Sequence, residues 1–151
     1  MKQTIKKVLL VDDDEDELFF FQNALKEVDP TIEVNFLSHP DQLPKDGKCI
    51  VPDLLFLDIN MPSWDGFKWL EKIRNKHVDV PVVMYSTSKN KTNINKAYTS
   101  GANLYMTKPD RQELLISSLR NILQFNWSHP EAIKQQFFKD GRYEAFVPSK
   151  N

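Results

Sequence analysis

Cysteine is almost absent from this chain, since Cys49 is the only one among 151 residues. A single cysteine excludes an internal disulfide and any zinc site built on several thiolates. Long apolar runs are missing too. No stretch approaches the roughly 18 residues that span a bilayer, and the apolar run after the basic N-terminus is too short for a signal peptide. The sequence therefore predicts a cytoplasmic protein without a membrane segment.

The chain also lacks an excess of charge, because its formal net charge is −1 at pH 7. A chain so close to neutral has no overall attraction for nucleic acid or for an anionic membrane, so direct contact with either is not expected. Hydrophobic residues make up 40% of the sequence, which is ordinary for a globular protein. The length suits one hydrophobic core.

Short apolar runs are what the chain does contain. Residues 8–11 and 54–57 are wholly apolar and are followed by turn residues, which is typical of strands buried on both faces of a parallel sheet. Residues 32–36 alternate between apolar and polar, as an edge strand does. Two more strands are predicted at 82–86 and 103–106.

The segments between these strands have apolar residues at helical spacing. Asp14 is the predicted N-cap of the first helix, with Glu17 three residues later in a solvated first turn. A short second helix is predicted around residues 41–43. In the third helix Phe67, Leu70 and Ile73 should face the core, with Trp69 at the flank. The polar segment 89–100 is the fourth helix and 114–123 the fifth. This alternation predicts an α/β fold with a parallel sheet between two helical layers.

A set of acids, one hydroxyl and one amine follows the strand ends. Asp12 and Asp13 close the first strand, Asp58 the third and Ser86 the fourth, and Lys108 follows the fifth. Because the carboxyl ends of parallel strands meet at one edge of a sheet, these side chains should converge. Three carboxylates this close must shift their pKa values or hold a cation, and oxygen ligands without His or Cys favour Mg²⁺.

The same group of side chains suits phosphoryl transfer. A carboxylate can attack phosphorus and form an acyl phosphate. A metal ion, a lysine and a hydroxyl can hold the oxygens of the transferring group.

From about Lys7 to Phe125, the sequence resembles the receiver domain of two-component response regulators. The resemblance rests on V-D-D at the end of the first strand, L-D-I-N-M-P around Asp58, the hydroxyl of Ser86, and K-P at Lys108. It implies a flavodoxin-like, doubly wound sheet of five parallel strands in the order 2-1-3-4-5 with five helices. S-T-S-K and the Pro-rich connection before the third strand are similar to single-domain regulators of phytochrome-type kinases.

Roles for the site residues follow from the resemblance. Asp58 would be the phosphoacceptor. Asp13 and Asp58 would bind Mg²⁺ directly, Asp12 through water, and the backbone carbonyl of Asn60 would supply another ligand. Lys108 would contact the phosphoryl oxygens, and the bond from Lys108 to Pro109 is expected to be cis.

A switch is implied as well. Ser86 would contact the phosphoryl group and move toward it, while Tyr105 rotates inward. The signalling surface would comprise the fourth helix, the fifth strand and the fifth helix. Thr87 stands where the family usually has alanine and should slow attack by water, and Ser88 is a second candidate modulator.

The implied function is that of a stand-alone response regulator. It would accept a phosphoryl group from a sensor histidine kinase or a phosphotransfer protein and act on a downstream protein, with slow self-dephosphorylation as its only catalysis. Two alternatives are weighed against it. A haloacid-dehalogenase-like phosphatase needs a second Asp two residues after the nucleophile, where this chain has Asn60. A degenerate receiver would work without phosphate, which the intact set of acids argues against.

Two segments are predicted: a receiver domain at 1–125 and a C-terminal extension at 126–151. The extension is too short for an ordinary DNA-binding output domain. It is rich in aromatic residues, namely Trp127, Phe137, Phe138, Tyr143 and Phe146. One or two helical turns are expected within 131–139. Packing on the fifth helix, formation of a homodimer and kinase docking are all open alternatives for the extension.

Overall fold

Five parallel strands form the centre of the molecule, in the order β2-β1-β3-β4-β5. The structure, a computed structural model, describes residues 4–38, 52–59, 65–75 and 79–148. The strands are β1 (Lys7–Val11), β2 (Glu33–Leu37), β3 (Leu54–Leu57), β4 (Val82–Ser86) and β5 (Leu104–Thr107). The predicted α/β fold, its strand order and the edge position of β2 are thereby confirmed.

Helices cover both faces of this sheet. They are α1 (Glu15–Val28), α2 (Gly66–Asn75), α3 (Lys91–Thr99), α4 (Gln112–Leu123) and α5 (Pro130–Gln136). The predicted fourth and fifth helices therefore correspond to α3 and α4. The short helix predicted around residues 41–43 lies outside the described residues. Within the described ranges, no helix is long and apolar enough to cross a membrane.

The pairing of β1 with β3 fixes the position of the acids. Val11 lies opposite Leu57 in the parallel register, so Asp12 and Asp58 leave the sheet side by side. The Asp58 amide donates to the Val11 carbonyl at 3.0 Å, and the Asp12 amide donates to the Leu37 carbonyl at 3.0 Å. Both strands are buried along most of their length because helices pack on each face.

Two hydrophobic clusters lie on opposite faces of the sheet. Alternate side chains of the central strands face α1 and α4 on one side, and α2 and α3 on the other. On the first side, Phe21 packs edge-on against Phe56 and Tyr85, with ring centroids 4.9 and 5.8 Å apart. Its neighbours Phe19 and Phe20 are both exposed.

Two sequence predictions about this part of the fold were wrong. Trp69 does not lie at the flank of α2 but is buried in the core, while Phe67 and Ile73 are only half-buried. The most buried residues of the helix are Gly66, Trp69 and Leu70, and Phe67 and Ile73 pack against the same cluster, so the core face includes Trp69 in addition to the predicted residues. The bond from Lys108 to Pro109 is trans, since no cis peptide bond occurs among the described residues.

The C-terminal extension packs against the rest of the chain. After α5 it forms a hairpin of β6 (Phe138–Lys139) and β7 (Arg142–Tyr143), with positive φ angles at Asp140 and Gly141 in the turn. Trp127, Ile133 and Phe146 are buried in the same cluster as α1 and α4. The Trp127 indole N–H donates to the Ile122 carbonyl of α4 at 2.9 Å. Packing on the fifth predicted helix is therefore seen directly.

Candidate functional site

Three carboxylates meet where β1 and β3 end. Oxygen atoms of Asp12, Asp13 and Asp58 lie within 4.8 Å of one another. Asp12 and Asp58 are only 0% and 4% exposed, whereas Asp13 is open to solvent. An all-oxygen set with one open side is the arrangement that a hard, partly hydrated cation requires, so the residues fit Mg²⁺.

Lys108 is the cation that these acids contact. Its Nζ lies 2.9 Å from Asp12 Oδ2 and 3.4 Å from Asp58 Oδ2. Burial alone would lower the pKa of Lys108, but the hydrogen bond to Asp12 and the charges of Asp58 and Asp12 raise it above its ordinary value. The ammonium group therefore stays charged at neutral pH. It also lies 5.2 Å from the ring centroid of Tyr85.

Ser86 ends β4 and is completely buried. Its Oγ accepts a hydrogen bond from the Ser88 amide at 3.1 Å, and its carbonyl accepts one from the Lys108 amide at 2.7 Å. The second bond ties the loop after β4 to the loop after β5. The hydroxyl and the ammonium group are thereby held at the ends of β4 and β5, the two strands that follow β3 across the sheet.

The next two residues have different surroundings. Thr87 is exposed. Ser88 is half-buried, and its Oγ accepts hydrogen bonds from the Asn90 amide at 3.2 Å and from Asn93 Nδ2 at 3.1 Å. Asn90 also caps α3 through its side chain. Ser88 therefore joins the end of β4 to the start of α3.

Tyr105 lies with its ring fully buried. Its hydroxyl donates to the Ser88 carbonyl at 2.8 Å. Burial raises the pKa of this hydroxyl, which therefore remains a donor at neutral pH. Tyr105 therefore contacts the loop that follows Ser86. Asn60, the remaining predicted ligand, lies outside the described residues.

Glu17 belongs to this site, although the sequence indicated only a solvated helix start. Asp14 does cap α1, accepting from the Asp16 amide at 2.9 Å. Glu17 is instead half-buried, and its charge adds to the burial that raises the pKa of the Tyr85 hydroxyl. Burial raises the pKa of Glu17, and the charges of Asp12, Asp14 and Asp58 raise it further against the opposing effect of Lys108. The signal available in the sequence was its place in the first turn after an acidic strand end.

Glu17→Gln is expected to stabilise the metal-free protein at pH 7 but not at pH 4. An acid whose folded-state pKa is raised binds its proton more tightly when folded, so stability falls as pH rises from 4.5 through that pKa. Removing the charge should restore at most about 1 kcal/mol at pH 7, since Glu17 is partly screened by solvent. Urea unfolding in EDTA at both pH values measures the difference.

The matched control for this change is Glu15→Gln, an exposed acid of the same helical turn. It should not stabilise at pH 7, because it removes only a favourable interaction with the helix dipole. An equal gain from Glu17→Gln at pH 4 and pH 7 would contradict the burial of a charged Glu17.

A sheet of five parallel strands in this order, with an acidic cluster at its carboxyl edge, is the arrangement of a receiver domain. The sequence model of the response regulator receiver domain family matches residues 8–120. The chain belongs to this family, as the sequence motifs predicted.

Two curated relatives are similar to most of this chain but are much longer. The sensory transduction protein BceR of Halalkalibacterium halodurans is 26% identical over 118 residues, which are 78% of this chain and 50% of BceR. A protein-glutamate methylesterase/protein-glutamine glutaminase of Trichodesmium erythraeum is 37% identical over 107 residues, covering 68% of this chain and 30% of that protein. This chain thus spans half or less of the length of these curated relatives.

Solved structures include proteins of nearly the same length. The phosphorylated cyanobacterial phytochrome response regulator RcpA has a TM-score of 0.69 and 29% identity, covering 82% of this chain and 95% of RcpA. The Mn²⁺-bound form of response regulator Rcp1 has a TM-score of 0.63 and 27% identity, covering 80% of this chain and 93% of Rcp1.

Proposed function

We propose that this protein is a response regulator that carries its signal as a phosphoryl group on Asp58. The observation that supports this most strongly is the position of the Asp58 carboxylate. It is buried beside two further acids and one ammonium group at the carboxyl edge of the sheet. A buried carboxylate with a cation site on one side and a charged donor on the other is suited to accept an anionic group.

In the proposed reaction, an Asp58 carboxylate oxygen attacks the donor phosphorus. The new O–P bond forms as the bond from phosphorus to the donor breaks, and the donor atom keeps that electron pair. Mg²⁺, when held by Asp12, Asp13, Asp58 and the Asn60 carbonyl, would neutralise the charge of the phosphoryl oxygens. Lys108 now lies within 3.4 Å of Asp58 and is placed to hold one of these oxygens.

The Ser86 hydroxyl would donate to a second phosphoryl oxygen while still accepting from the Ser88 amide. Because Ser88 contacts Asn93 of α3 and Tyr105 of β5, a shift of this loop would reach two elements of the predicted signalling surface. The phosphoryl group can shift the equilibrium between the present and the shifted position of this loop only by the difference in its affinity for the two.

The proposed donor is a sensor histidine kinase or a phosphotransfer protein, and the proposed recipient of the signal is a downstream protein. We propose that residues 1–125 form the receiver domain and that 126–151 are an extension attached to its core. No catalytic output is assigned beyond slow loss of the phosphoryl group. A homodimer stays a prediction.

The experiment that tests this function is incubation with Mg²⁺ and acetyl phosphate, followed by intact mass measurement. We expect one phosphoryl group per chain with Mg²⁺ and none with EDTA. Asp13→Asn should require far more Mg²⁺, whereas the exposed control Asp16→Asn should behave as wild type. An adduct that forms equally well in EDTA would contradict the proposed site, as would the absence of any adduct.

Thr87 and Ser88 are proposed to set the lifetime of the phosphoryl group. Thr87 is exposed directly after Ser86, where its methyl group can obstruct an incoming water. Thr87→Ala should therefore speed dephosphorylation, measured as decay of the adduct after the donor is removed. Thr87→Ser, which keeps the hydroxyl and removes the methyl group, should behave like Thr87→Ala. A slower or unchanged decay in Thr87→Ala would reject the obstruction.

A further inference from the structure

The C-terminal extension covers two elements of the predicted signalling surface. β5 is the last strand of the sheet, and Phe146 pairs with its exposed edge in an isolated parallel bridge to Met106. Tyr143 stacks on Tyr98 of α3, with ring centroids 4.7 Å apart and planes inclined by 15°. The Tyr143 amide donates to Asn95 Oδ1 at 3.0 Å. A protein that approaches α3 and β5 therefore meets the extension first.

Tyr105 connects this covered edge to the phosphoacceptor site. On the side of the extension, its carbonyl accepts from the Phe146 amide at 2.8 Å. On the side of the site, its hydroxyl donates to the Ser88 carbonyl at 2.8 Å. The ring between these two bonds is fully buried, so one rigid side chain and its own backbone join the extension to the loop.

Tyr98 supplies a second connection between the same parts. Its hydroxyl accepts a hydrogen bond from the Tyr105 amide at 3.0 Å and donates one to the Glu144 carbonyl at 2.8 Å. The residue is buried, so the hydroxyl has little access to solvent partners. The backbone of Tyr105 is thus held to the extension at both its amide and its carbonyl.

The chain of contacts continues to the reactive edge. The Ser88 amide donates to Ser86 Oγ, and Ser88 Oγ accepts from Asn93 of α3. An arrangement in which Ser86 donates to a phosphoryl group is compatible with all of these bonds. The docked extension, the buried Tyr105 and the Ser88 loop therefore belong to one arrangement of the molecule.

We infer that the docking of residues 143–146 is coupled to phosphorylation of Asp58. Phosphorylation tightens their docking on β5 and α3, and their docking in turn favours phosphorylation. This inference rests on the proposed function, because it concerns the regulation of that same site. The two effects must be equal in free energy, since coupling between two bound states is reciprocal. The surface presented to a downstream protein is then the extension in its docked form.

Amide hydrogen exchange in the full chain tests the inference. The Phe146 and Tyr143 amides report docking, because they donate to Tyr105 and Asn95. The Glu144 amide donates to the Phe137 carbonyl within the extension and serves as an internal reference. With Mg²⁺ and acetyl phosphate, exchange at Phe146 and Tyr143 should slow by about 5- to 150-fold, the usual range for coupled sites. Intact mass of the same sample reports occupancy.

Tyr98→Phe separates coupling from packing. It keeps the stacked ring and removes the bridging hydroxyl, so the adduct should still form while the slowing at Phe146 falls below about twofold. Tyr143→Phe is the matched control, because the Tyr143 hydroxyl makes no hydrogen bond among the described residues, and it should keep the full slowing. Phe146→Ala, which removes the buried anchor on β5, gives a second variant with the same expected loss.

The outcomes distinguish the two proposals. Without an adduct, the proposed function fails and the coupling fails with it. If the adduct forms and the exchange rates of Phe146 and Tyr143 stay unchanged, only the coupling is overturned. Full slowing in Tyr98→Phe would overturn the route through Tyr98 and Tyr105.

Discussion

Lys108→Ala is expected to slow phosphorylation by about 10²- to 10³-fold, the usual loss when one preorganised donor to a developing charge is removed. The Lys108 ammonium group contacts both buried acids, at 2.9 Å from Asp12 and 3.4 Å from Asp58. It therefore already lies beside the expected position of the phosphoryl oxygens. The initial rate of adduct formation at saturating Mg²⁺ and fixed acetyl phosphate measures the effect.

The affinity for Mg²⁺, by contrast, should rise in the same variant. Without Lys108, the acids of the cluster repel one another with less compensation, so Mg²⁺ should bind more tightly to the variant. The control is Lys26→Ala, an exposed lysine in the last turn of α1, which should change neither quantity. A phosphorylation rate within about threefold of wild type would contradict a role for Lys108 in holding the phosphoryl group.

Trp127→Ala is expected to lower the free energy of unfolding by about 3–5 kcal/mol, as for other buried tryptophans. The side chain is 1% exposed, and its indole N–H bonds the Ile122 carbonyl at the end of α4. Truncation would leave a cavity and remove one of the hydrogen bonds that the Ile122 carbonyl accepts, although the bond from the Phe125 amide at 3.2 Å would remain. Urea unfolding followed by circular dichroism measures the change.

The same extension offers an exposed aromatic residue as a control. Phe138 is 45% exposed in the hairpin and contacts Tyr143 at its edge. Phe138→Ala should cost less than about 1 kcal/mol. A loss that small for Trp127→Ala would mean that the extension does not belong to the core of the receiver fold.

The fold and most of the site could be predicted because they depend on local patterns and on one topological rule. Wholly apolar runs at β1 and β3 indicate buried parallel strands, and parallel strands place their carboxyl ends together. Asp12, Asp58, Ser86 and Lys108 meet for that reason alone. Their order along the chain was then enough to indicate the family.

Other features depend on packing that has no local signature. The partial burial of Glu17 near the charges of Asp58 and Lys108 brings together residues that lie far apart in the sequence. The docking of Phe146 on β5 depends on a free sheet edge and on the hydroxyl of Tyr98, neither of which the aromatic content of the extension could indicate. The close packing that buries Trp69 of α2 has no local signature either: an added Cβ at Gly66 of the same helix would lie 2.9 Å from Ile59 Cγ2.

The most direct test of the central claim is to locate the phosphoryl group on the chain. Borohydride reduces an aspartyl phosphate to homoserine, which marks the modified residue for tandem mass spectrometry of the digested protein. After treatment with Mg²⁺ and acetyl phosphate, homoserine should appear at position 58 in wild type and in Asp14→Asn, and nowhere in Asp58→Asn. Homoserine at another position, or an undiminished adduct in Asp58→Asn, would contradict Asp58 as the phosphoacceptor.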